Sequence, residues 1–324
     1  MIVTGGAGYI RSHACKALRN AGYKPITVDN LSTGWSEALK FDPFERVGLL
    51  DRDKLIQVFK KYQPYAVMHF AAFSQVGERV VDPAKYWRNN VVGSLNLFEA
   101  CQEHGCHNVI FSSTCATYGD HDNVVLTEAS DQRPVNAYRS SKRVVEEILQ
   151  KISKSAGLKY AIFRYFNVAG ADPAGDIGEF HQPETHLIPL ILEAIDGKRD
   201  NITIFGTDYE TPDGTCIRDY VHVCDLVDAH DLGLKWLENG GSNEVFNLGT
   251  GTGFSVREVI DHAGIVTNRP VPVFEGDRRK GDCTKLVSGS ELARGQLGRE
   301  PRRSLLKHMI TDAWRWQQAG GYEK

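Results

Sequence analysis

Tyr138 and Lys142 stand four residues apart, a spacing that brings two side chains onto one face of a helix. An ammonium group beside a phenol favours the phenolate, so Lys142 is expected to lower the pKa of Tyr138 towards neutrality and to make it a usable general base. Because Tyr-x-x-x-Lys also occurs by chance as a surface pair, the spacing alone does not establish a catalytic site.

A third candidate, Thr114, lies where an apolar, strand-like run closes in hydroxyl residues, NVIFSSTCATYG. Its hydroxyl is expected to bridge a substrate hydroxyl and the phenol of Tyr138. Thr114, Tyr138 and Lys142 together predict a hydride-transfer site in which the tyrosine takes the proton of a substrate hydroxyl.

The run Gly5-Gly6-Ala7-Gly8-Tyr9-Ile10 follows a short strand-like stretch, MIVT, and opens a helix-like one. Glycines let backbone N–H groups and a helix N-terminus approach a pyrophosphate. The next strand-like run ends in Asp29-Asn30, where an acidic residue would bind ribose hydroxyls. The chain has 31 glycines, so a chance cluster is easily found; the order of strand, turn, helix, strand and acid is what predicts dinucleotide binding.

Arginine sites appear twice in the second half of the chain. Arg218 lies on an apolar strand-like stretch, and a basic turn, RRKGD, includes Arg279 and Asp282. Two separated guanidinium groups are suited to a diphosphate, which they bind bidentately. The alternative is a pair of surface ion-pair arginines.

The elements around these residues alternate in type through the first half of the chain. Strand-like runs (MIVT, PITVD, AVMHFAA, NVIFSST and YAIFRYF) are separated by helix-like stretches at Ser12–Ala21, Lys54–Lys61, Trp87–His104 and Tyr138–Ala156. This alternation of strands and helices predicts an α/β fold with a Rossmann-like, doubly wound parallel sheet. After Asn167 the alternation stops, and the Gly-, Pro- and acid-rich residues 171–186 are expected to form a long surface loop.

The same pass along the chain predicts two domains. Residues 1–167, together with about 217–251, are expected to form an NAD-binding domain. Residues 168–216 and 252–324 are expected to form a smaller, discontinuous C-terminal substrate domain.

Composition excludes several classes of partner. The 38 basic and 41 acidic residues nearly cancel, to a net charge of −3, with no basic stripe, so we expect no nucleic-acid partner. No apolar run approaches the ~20 residues that a membrane span needs, and no secretory signal is apparent, so we expect no membrane partner. The seven cysteines form no CxxC pair, and no His/Cys spacing suits a metal; they are expected to be reduced thiols of a cytoplasmic protein, and no metal site is predicted.

Taken together, these motifs resemble the UDP-glucose 4-epimerase branch of the extended short-chain dehydrogenase/reductase family. The likeness runs in order along nearly the whole chain and rests on TGGAGYI, DNLS, HFAAFSQVGE, NNVVGSLNLFEA, FSSTCATYG, RYFNVAGA, ETHLIPL, IFGTDYETPDGTCIRDYVHV, NLGTG and RRKGD. GTCIRDYVHV and FSSTCATYG are specific to this branch, whereas the glycine run is shared by the wider family.

The resemblance implies a role for each matching residue. Tyr138 would be the base for the sugar 4-hydroxyl, Thr114 the catalytic hydroxyl residue, and Lys142 the ligand of the nicotinamide ribose. The implied NAD contacts are Gly5, Gly8, Tyr9, Ile10, Asp29, Asn30, Phe70, Ala71, Ser74, Asn89 and Lys142. The implied UDP-sugar contacts are Asn167, Leu187, Ile204, Phe205, Arg218, Arg279 and Asp282.

The implied reaction is NAD-dependent 4-epimerisation of UDP-glucose and UDP-galactose: C4 is oxidised, the 4-keto sugar turns over, and hydride returns to the other face. A homodimer formed through paired long helices, at Trp87–His104 and Tyr138–Ala156, is implied as well. The N-acetyl sugars and the xylose/arabinose pair stay open as substrates. So do two other functions, a nucleotide-sugar 4,6-dehydratase and a non-catalytic NAD-binding sensor.

The chain departs from the family pattern at several positions. Arg11 stands at the third glycine of the fingerprint, where a small residue lets the helix pack closely on the strand. A side chain this long is expected either to displace the helix or to reach outward. Gly48 stands where an aspartate beside the adenine is usual. Further departures are Arg79, Arg139 and, in place of a common tryptophan, Arg299.

Overall fold

The computed structural model describes residues 1–41, 43–74, 82–119, 121, 125–279 and 282–322. The chain divides into two compact units. Unit 1 contains Met1–Gly119, Asp131–Tyr165 and Val227–Phe246, and unit 2 contains Asp120–Ser130, Phe166–Leu226 and Asn247–Lys324. Arg79, Lys280 and Gly281, which the sequence analysis singled out, lie outside the described residues.

The strands are short and spread over the whole chain. They are β1 (Ile2–Thr4), β2 (Ile26–Asp29), β3 (Phe44–Arg46), β4 (Ala66–His69), β5 (Asn108–Ser112), β6 (Val125–Leu126), β7 (Lys159–Tyr165), β8 (Asn167–Ala169), β9 (Ile202–Phe205), β10 (Ile217–His222), β11 (Glu244–Leu248), β12 (Gly253–Ser255), β13 (Val273–Gly276) and β14 (Lys285–Ser288).

Helices separate most of these strands. They are α1 (Tyr9–Asn20), α2 (Arg52–Tyr62), α3 (Pro83–Tyr86), α4 (Gly93–Glu103), α5 (Ala137–Ala156), α6 (Leu187–Ile195), α7 (Val223–Glu238), α8 (Val256–Thr267), α9 (Glu291–Leu297) and α10 (Leu306–Gln318). A π-helical turn at Trp87–Val92 precedes α4, and short 3₁₀ helices lie at Ser36–Ala38 and Cys115–Tyr118.

Unit 1 is built on a sheet of seven described strands in the order β11-β7-β5-β4-β1-β2-β3. The six strands from β7 to β3 run parallel. Five of them, β1, β2, β4, β5 and β7, are largely buried, which explains their near-continuous apolar sequences, whereas β3 is only partly buried. The chain starts at β1, moves outward to β3 and crosses back to β4, so the predicted doubly wound, Rossmann-like sheet is confirmed.

This strand order determines at which edge of the sheet unit 1 is expected to bind its ligands. In a doubly wound sheet, ligands bind beyond the carboxyl ends of the strands, near the point where the strand order reverses. Here that point lies between β1 and β4. Gly5 follows β1, Asp29 ends β2, Phe70 follows β4 and Thr114 lies two residues beyond β5.

Unit 2 contains a smaller mixed sheet, ordered β12-β10-β14-β6, with β8 also paired to β10. β10 runs antiparallel to β12 and parallel to β8 and β14, and β9 pairs in parallel with β13 as a separate ribbon. An apolar core of its own packs α6, α8 and α10 together and includes Ile191, Val259 and Met309.

The unit boundaries differ from the predicted domain boundaries at four places. Residues 166 and 167 belong to unit 2 rather than to unit 1. Residues 120–130 belong to unit 2 because β6 pairs with β14. Residues 217–226 also belong to unit 2, because β10 pairs with β8, β12 and β14. Residues 247–251 follow the same unit, while Glu244–Phe246 of β11 stay with the large sheet.

Arg299 is buried in unit 2, with 3 % of its surface exposed. Its Nη1 donates to the carbonyl of Gly249 at 2.6 Å, whereas Nε and Nη2 have no hydrogen-bond partner among the described residues. Burial lowers the pKa of Arg299 to about 10, although Asp225 and Asp219 partly oppose this. A buried cation with unsatisfied donors destabilises a fold.

We therefore expect Arg299→Met to raise the free energy of unfolding by about 1–4 kcal/mol, because an apolar side chain of similar length removes the buried charge. Urea denaturation measures this. Arg302→Met is the matched control, since the Arg302 side chain is 80 % exposed and should change stability by no more than about 0.5 kcal/mol. A less stable Arg299→Met protein would mean that the Gly249 contact outweighs the buried charge.

Among the described residues, the helices are all too short or too polar to cross a lipid bilayer.

Candidate active site

Tyr138, Lys142 and Thr114 all lie in unit 1, on two neighbouring elements. Asn136 caps α5 by accepting from the N–H of Arg139 at 3.0 Å, which places Tyr138 and Lys142 in the first two turns. Thr114 caps the 3₁₀ helix after β5, where its Oγ1 accepts from the N–H of Ala116 at 3.1 Å. The Thr114 hydroxyl also lies beside the phenol of Tyr138 and lowers the pKa of that phenol in part.

Lys142 is held in a fixed, buried position. It is 3 % exposed, its Nζ donates to the carbonyl of Ser112 at 2.7 Å, and it lies 4.9 Å from the centre of the Phe111 ring. Burial, reinforced by the positive charge of Arg11, lowers the pKa of Lys142 to about 7, and Glu146 opposes this shift. Its surroundings therefore disfavour the charged form of Lys142.

The pKa of Tyr138 is shifted in the direction opposite to the one expected from sequence. Burial raises this pKa above its ordinary range, and the neighbouring Tyr165 and Cys115 add to the effect. Arg11 and the Thr114 hydroxyl lower it in part. The expectation that Lys142 brings the phenol towards neutrality was wrong for the protein alone, because the cost of burying a phenolate dominates.

A buried ion pair helps to hold the elements that carry Thr114, Tyr138 and Lys142. Arg164 on β7 donates to Glu146 on α5, with Nη2–Oε2 at 2.6 Å, and both side chains are less than 10 % exposed. Ser113, beside Thr114, also donates to Glu146. This network ties the end of β5 to the helix that carries Tyr138 and Lys142.

The glycine turn leads directly into α1. Gly5 has φ = +74°, a conformation that favours glycine, and Gly8 is the N-cap of α1, which therefore has no side-chain cap. A Cβ on Gly6 would lie 2.5 Å from a methyl carbon of Thr27, so that position also requires glycine. The carboxylate of Asp29 accepts from the N–H groups of Ala7 at 3.0 Å and Leu31 at 2.7 Å. Uncapped backbone N–H groups at a helix N-terminus, with an acidic side chain beside them, are suited to binding a dinucleotide.

Arg11 lies in the first turn of α1, which begins at Tyr9, immediately after Gly8. The guanidinium turns back over the glycine turn, where its Nη1 donates to the carbonyl of Gly5 at 3.3 Å. A Cβ on Gly8 would lie 2.8 Å from the same nitrogen. Arg11 therefore covers the surface over which a pyrophosphate is expected.

Several predicted cofactor residues share a small cavity of unit 1, of about 40 Å³. Gly5, Asp29, Asn30, Ala71 and Asn89 line it, together with Arg11 and Gly48.

The remaining predicted cofactor residues lie outside that lining. Gly8, Tyr9 and Ile10 form the start of α1, and Ser74 is exposed. Phe70 is 3 % exposed, with its ring stacked 4.9 Å from that of His230, so it belongs to the packed interior.

In unit 2, one cavity of about 270 Å³ brings together all seven predicted sugar-nucleotide residues. Its lining includes Asn167, Leu187, Ile204, Phe205, Arg218, Arg279 and Asp282. They come from β8, the start of α6, β9, β10 and the turn before β14. Their convergence from five parts of the chain is a property of the fold that no local sequence window contains.

The charges in this cavity suit a diphosphate. Arg218 and Arg279 share one carboxylate, that of Asp282, with Nη2–Oδ1 at 3.9 Å and Nε–Oδ2 at 3.0 Å. The Arg279 guanidinium also lies 4.5 Å from the centre of the partly exposed Phe205 ring. The two guanidinium groups and the single carboxylate together give this part of the cavity a net positive charge.

Sequence reasoning missed some residues at both sites. Buried Asn90 donates to Ser141 on α5 and to the carbonyl of Phe73, both at 3.1 Å, and so positions the chain after β4 against the catalytic helix. Asn90 belongs to the quoted NNVVGSLNLFEA motif, in which only Asn89 was selected. In unit 2, Thr185 and His186 also line the cavity. They belong to the quoted ETHLIPL motif but were not selected.

Comparison with known proteins gives consistent results. The sequence profile of the NAD dependent epimerase/dehydratase family matches residues 1–249. A UDP-glucose 4-epimerase of Rhizobium leguminosarum bv. trifolii is 46 % identical over 316 residues, which cover 98 % of this chain and 96 % of that protein.

Two solved structures are similar over almost their entire length. UDP-glucose 4-epimerase from Brucella ovis, in complex with NAD, has a TM-score of 0.94 and 46 % identity, covering 97 % of this chain and 96 % of that one. The enzyme from Stenotrophomonas maltophila, with bound NAD and formylated UDP-arabinopyranose, has a TM-score of 0.95 and 35 % identity, covering 98 % of both chains.

Proposed function

Because this chain belongs to the NAD dependent epimerase/dehydratase family, we propose that it is an NAD-dependent 4-epimerase that interconverts UDP-glucose and UDP-galactose. The observation that carries this proposal is the grouping of Thr114, Tyr138 and Lys142. The Thr114 hydroxyl lies beside the Tyr138 phenol, and buried Lys142 lies one helical turn further along α5.

Unit 1 is the proposed site of NAD. The glycine turn and the N-terminus of α1 would hold the pyrophosphate, and Asp29 would hold the adenosine ribose. The chemistry that bound NAD⁺ supplies is reversible acceptance of the hydride on C4 of the sugar. Tyr138 would take the proton of the 4-hydroxyl as the ketone forms and return it when the hydroxyl forms again, so that no net oxidation results.

Unit 2 is the proposed site of the UDP moiety. Arg218 and Arg279 would bind the diphosphate, with Asp282 holding the two guanidinium groups in place. Asn167, Leu187, Ile204 and Phe205 would complete the wall around the nucleotide. Support for this comes from the Stenotrophomonas relative, which was crystallised with a UDP-sugar.

The alternatives are less well supported. A 4,6-dehydratase needs a further acid and base beside the catalytic threonine, and Thr114 is followed by Cys115 and Ala116. A non-catalytic sensor has no use for the group of Thr114, Tyr138 and Lys142.

A single assay tests the function. The protein is incubated with UDP-galactose and NAD⁺, and the products are separated by chromatography. We expect UDP-glucose to form until equilibrium is reached, without release of NADH. A 4-keto-6-deoxy product would indicate a dehydratase, and no conversion despite NAD binding would indicate a sensor.

We also propose that the chain acts in the cytoplasm as a homodimer, through the helical stretches Trp87–His104 and Tyr138–Ala156. In support, all seven cysteines are free thiols, and Trp87 and Val92 are 38 % and 46 % exposed apolar residues on the first stretch. Light scattering after gel filtration should give the mass of two chains. A monomer would contradict the dimer without affecting the proposed activity.

A further inference from the structure

Four potential metal ligands converge just before α6 in unit 2. Glu179, His181, Glu184 and His186 occupy the pattern Glu-x-His-x-x-Glu-x-His, and one ligand atom from each lies within 4.8 Å of all the others. They belong to the segment that was expected to be a surface loop. No metal site was predicted from the sequence because His/Cys spacings alone do not reveal a cluster in which two of the four ligands are carboxylates.

The His–Glu distances in this cluster are close to those around a four-coordinate ion. Oε1 of Glu179 lies 2.8 Å from Nδ1 of His186 and 3.3 Å from Nδ1 of His181. Oε1 of Glu184 lies 3.2 Å from Nδ1 of His186, and the other oxygen of Glu184, Oε2, lies 3.5 Å from Nδ1 of His181. Tetrahedral zinc, with its ligands at ~2.0–2.2 Å, separates neighbouring ligand atoms by about 3.3–3.6 Å.

The carboxylates are buried, unlike those of ordinary surface acidic clusters. The side chains of Glu179 and Glu184 are each 6 % exposed, and those of His181 and His186 are 36 % and 56 % exposed. Oε1 of Glu179 accepts no well-aligned hydrogen bond from the described residues. Oε1 of Glu184 is anchored by the N–H groups of Thr185 at 2.6 Å and His186 at 2.8 Å. Two adjacent buried carboxylates require compensating positive charge, which a bound metal ion would supply in place of protons on His181 and His186.

We propose that Glu179, His181, Glu184 and His186 form a structural site for one divalent transition-metal ion, with Zn²⁺ as the best match. Two imidazole nitrogens and two carboxylate oxygens suit zinc, whereas Mg²⁺ and Ca²⁺ prefer oxygen ligands alone. Three of the ligands also line a cavity of about 160 Å³, which gives an ion access to the cluster. This proposal does not depend on the proposed function.

The ion would fix the start of α6. Its ligands span residues 179–186, and His186 is the N-cap of that helix. Thr185 and His186 also line the 270 Å³ cavity, so the metal would hold one wall of that cavity in place.

The test uses the full chain after treatment with a chelator. Titration with Co²⁺ should give the visible absorption of four-coordinate cobalt at one ion per chain, without the near-ultraviolet band of thiolate ligation, and Zn²⁺ should displace it. His181→Gln and Glu184→Gln should each weaken Zn²⁺ binding by at least about 100-fold, measured by competition with a chromogenic chelator. His308→Gln, at an exposed histidine on α10, is the matched control and should leave the affinity unchanged.

Three results would overturn the proposal: no saturable binding at one equivalent, a thiolate spectrum, or unchanged affinity in both cluster variants. In any of these cases the four residues form ion pairs only. Circular dichroism checks that each variant is folded, and if neither variant folds, the cobalt spectrum of the unaltered chain decides.

Discussion

Replacing Tyr138 with phenylalanine is expected to lower kcat for UDP-galactose by about 10²–10⁴-fold, the usual contribution of a positioned acid–base group. The phenolic hydroxyl is the one polar group that the change removes. The aromatic ring and the helix around it stay as they are. Binding of UDP should change little, since Arg218, Arg279 and the rest of the proposed nucleotide site lie in unit 2.

Steady-state kinetics with both UDP-sugars measure kcat. Calorimetric titration with UDP measures the affinity for UDP separately. Tyr62→Phe is the matched control. Tyr62 lies on α2, where its hydroxyl donates to Glu45 at 2.7 Å, so its loss should leave kcat unchanged. Turnover of Tyr138→Phe within a few-fold of the unaltered protein would remove Tyr138 from the mechanism.

Combining Arg11→Gly with Gly48→Asp is expected to tighten NAD binding by about 5–150-fold, which corresponds to 1–3 kcal/mol. In the unaltered chain the Arg11 guanidinium must leave the glycine turn before a pyrophosphate can reach the backbone N–H groups. A contact between the guanidinium and a phosphate offsets only part of that loss. Position 48 has room for a Cβ, which would lie 3.5 Å from the Asn30 side chain, an ordinary contact.

The measurement is the amount of nucleotide released on denaturing the purified protein, followed by calorimetric titration of the NAD-free chain with NAD⁺. We expect less than one NAD per unaltered chain and close to one per double variant. Arg19→Gly, at an exposed position of α1, controls for the loss of a positive charge and for the helical cost of glycine. One tightly held NAD in the unaltered chain would show that Arg11 is accommodated without loss.

The parallel sheet of unit 1 was largely predictable from sequence, because β1, β2, β4, β5 and β7 are apolar runs separated by helical periodicity. β3 and β6 were not found. β3 is three residues long and partly exposed, and β6 is two residues long, so neither contains a periodic pattern. The place of residues 120–130 in unit 2 depends on β6 pairing with β14, a contact between segments about 160 residues apart.

The candidate site was predictable in its residue types and less so in its electrostatics. Spacing placed Tyr138 and Lys142 on one helix, as observed. The direction of the Tyr138 pKa depends on how deeply the phenol is buried, which spacing does not contain. In the same way, the change at Arg11 was visible in the sequence, but the path of its side chain over Gly8 depends on the three-dimensional turn.

The alternation of the two units along the chain affects how the protein is made. The chain passes from one unit to the other five times, and unit 1 receives its last segment, Val227–Phe246, only after two of the three segments of unit 2 have been synthesised. A nascent chain, or a fragment that ends at residue 165, has β7 as an open sheet edge because β11 is missing. Unpaired edges of this kind promote aggregation, and pairings between distant segments fold slowly. Neither unit is therefore a suitable piece to express alone, and premature termination should give insoluble rather than half-active protein.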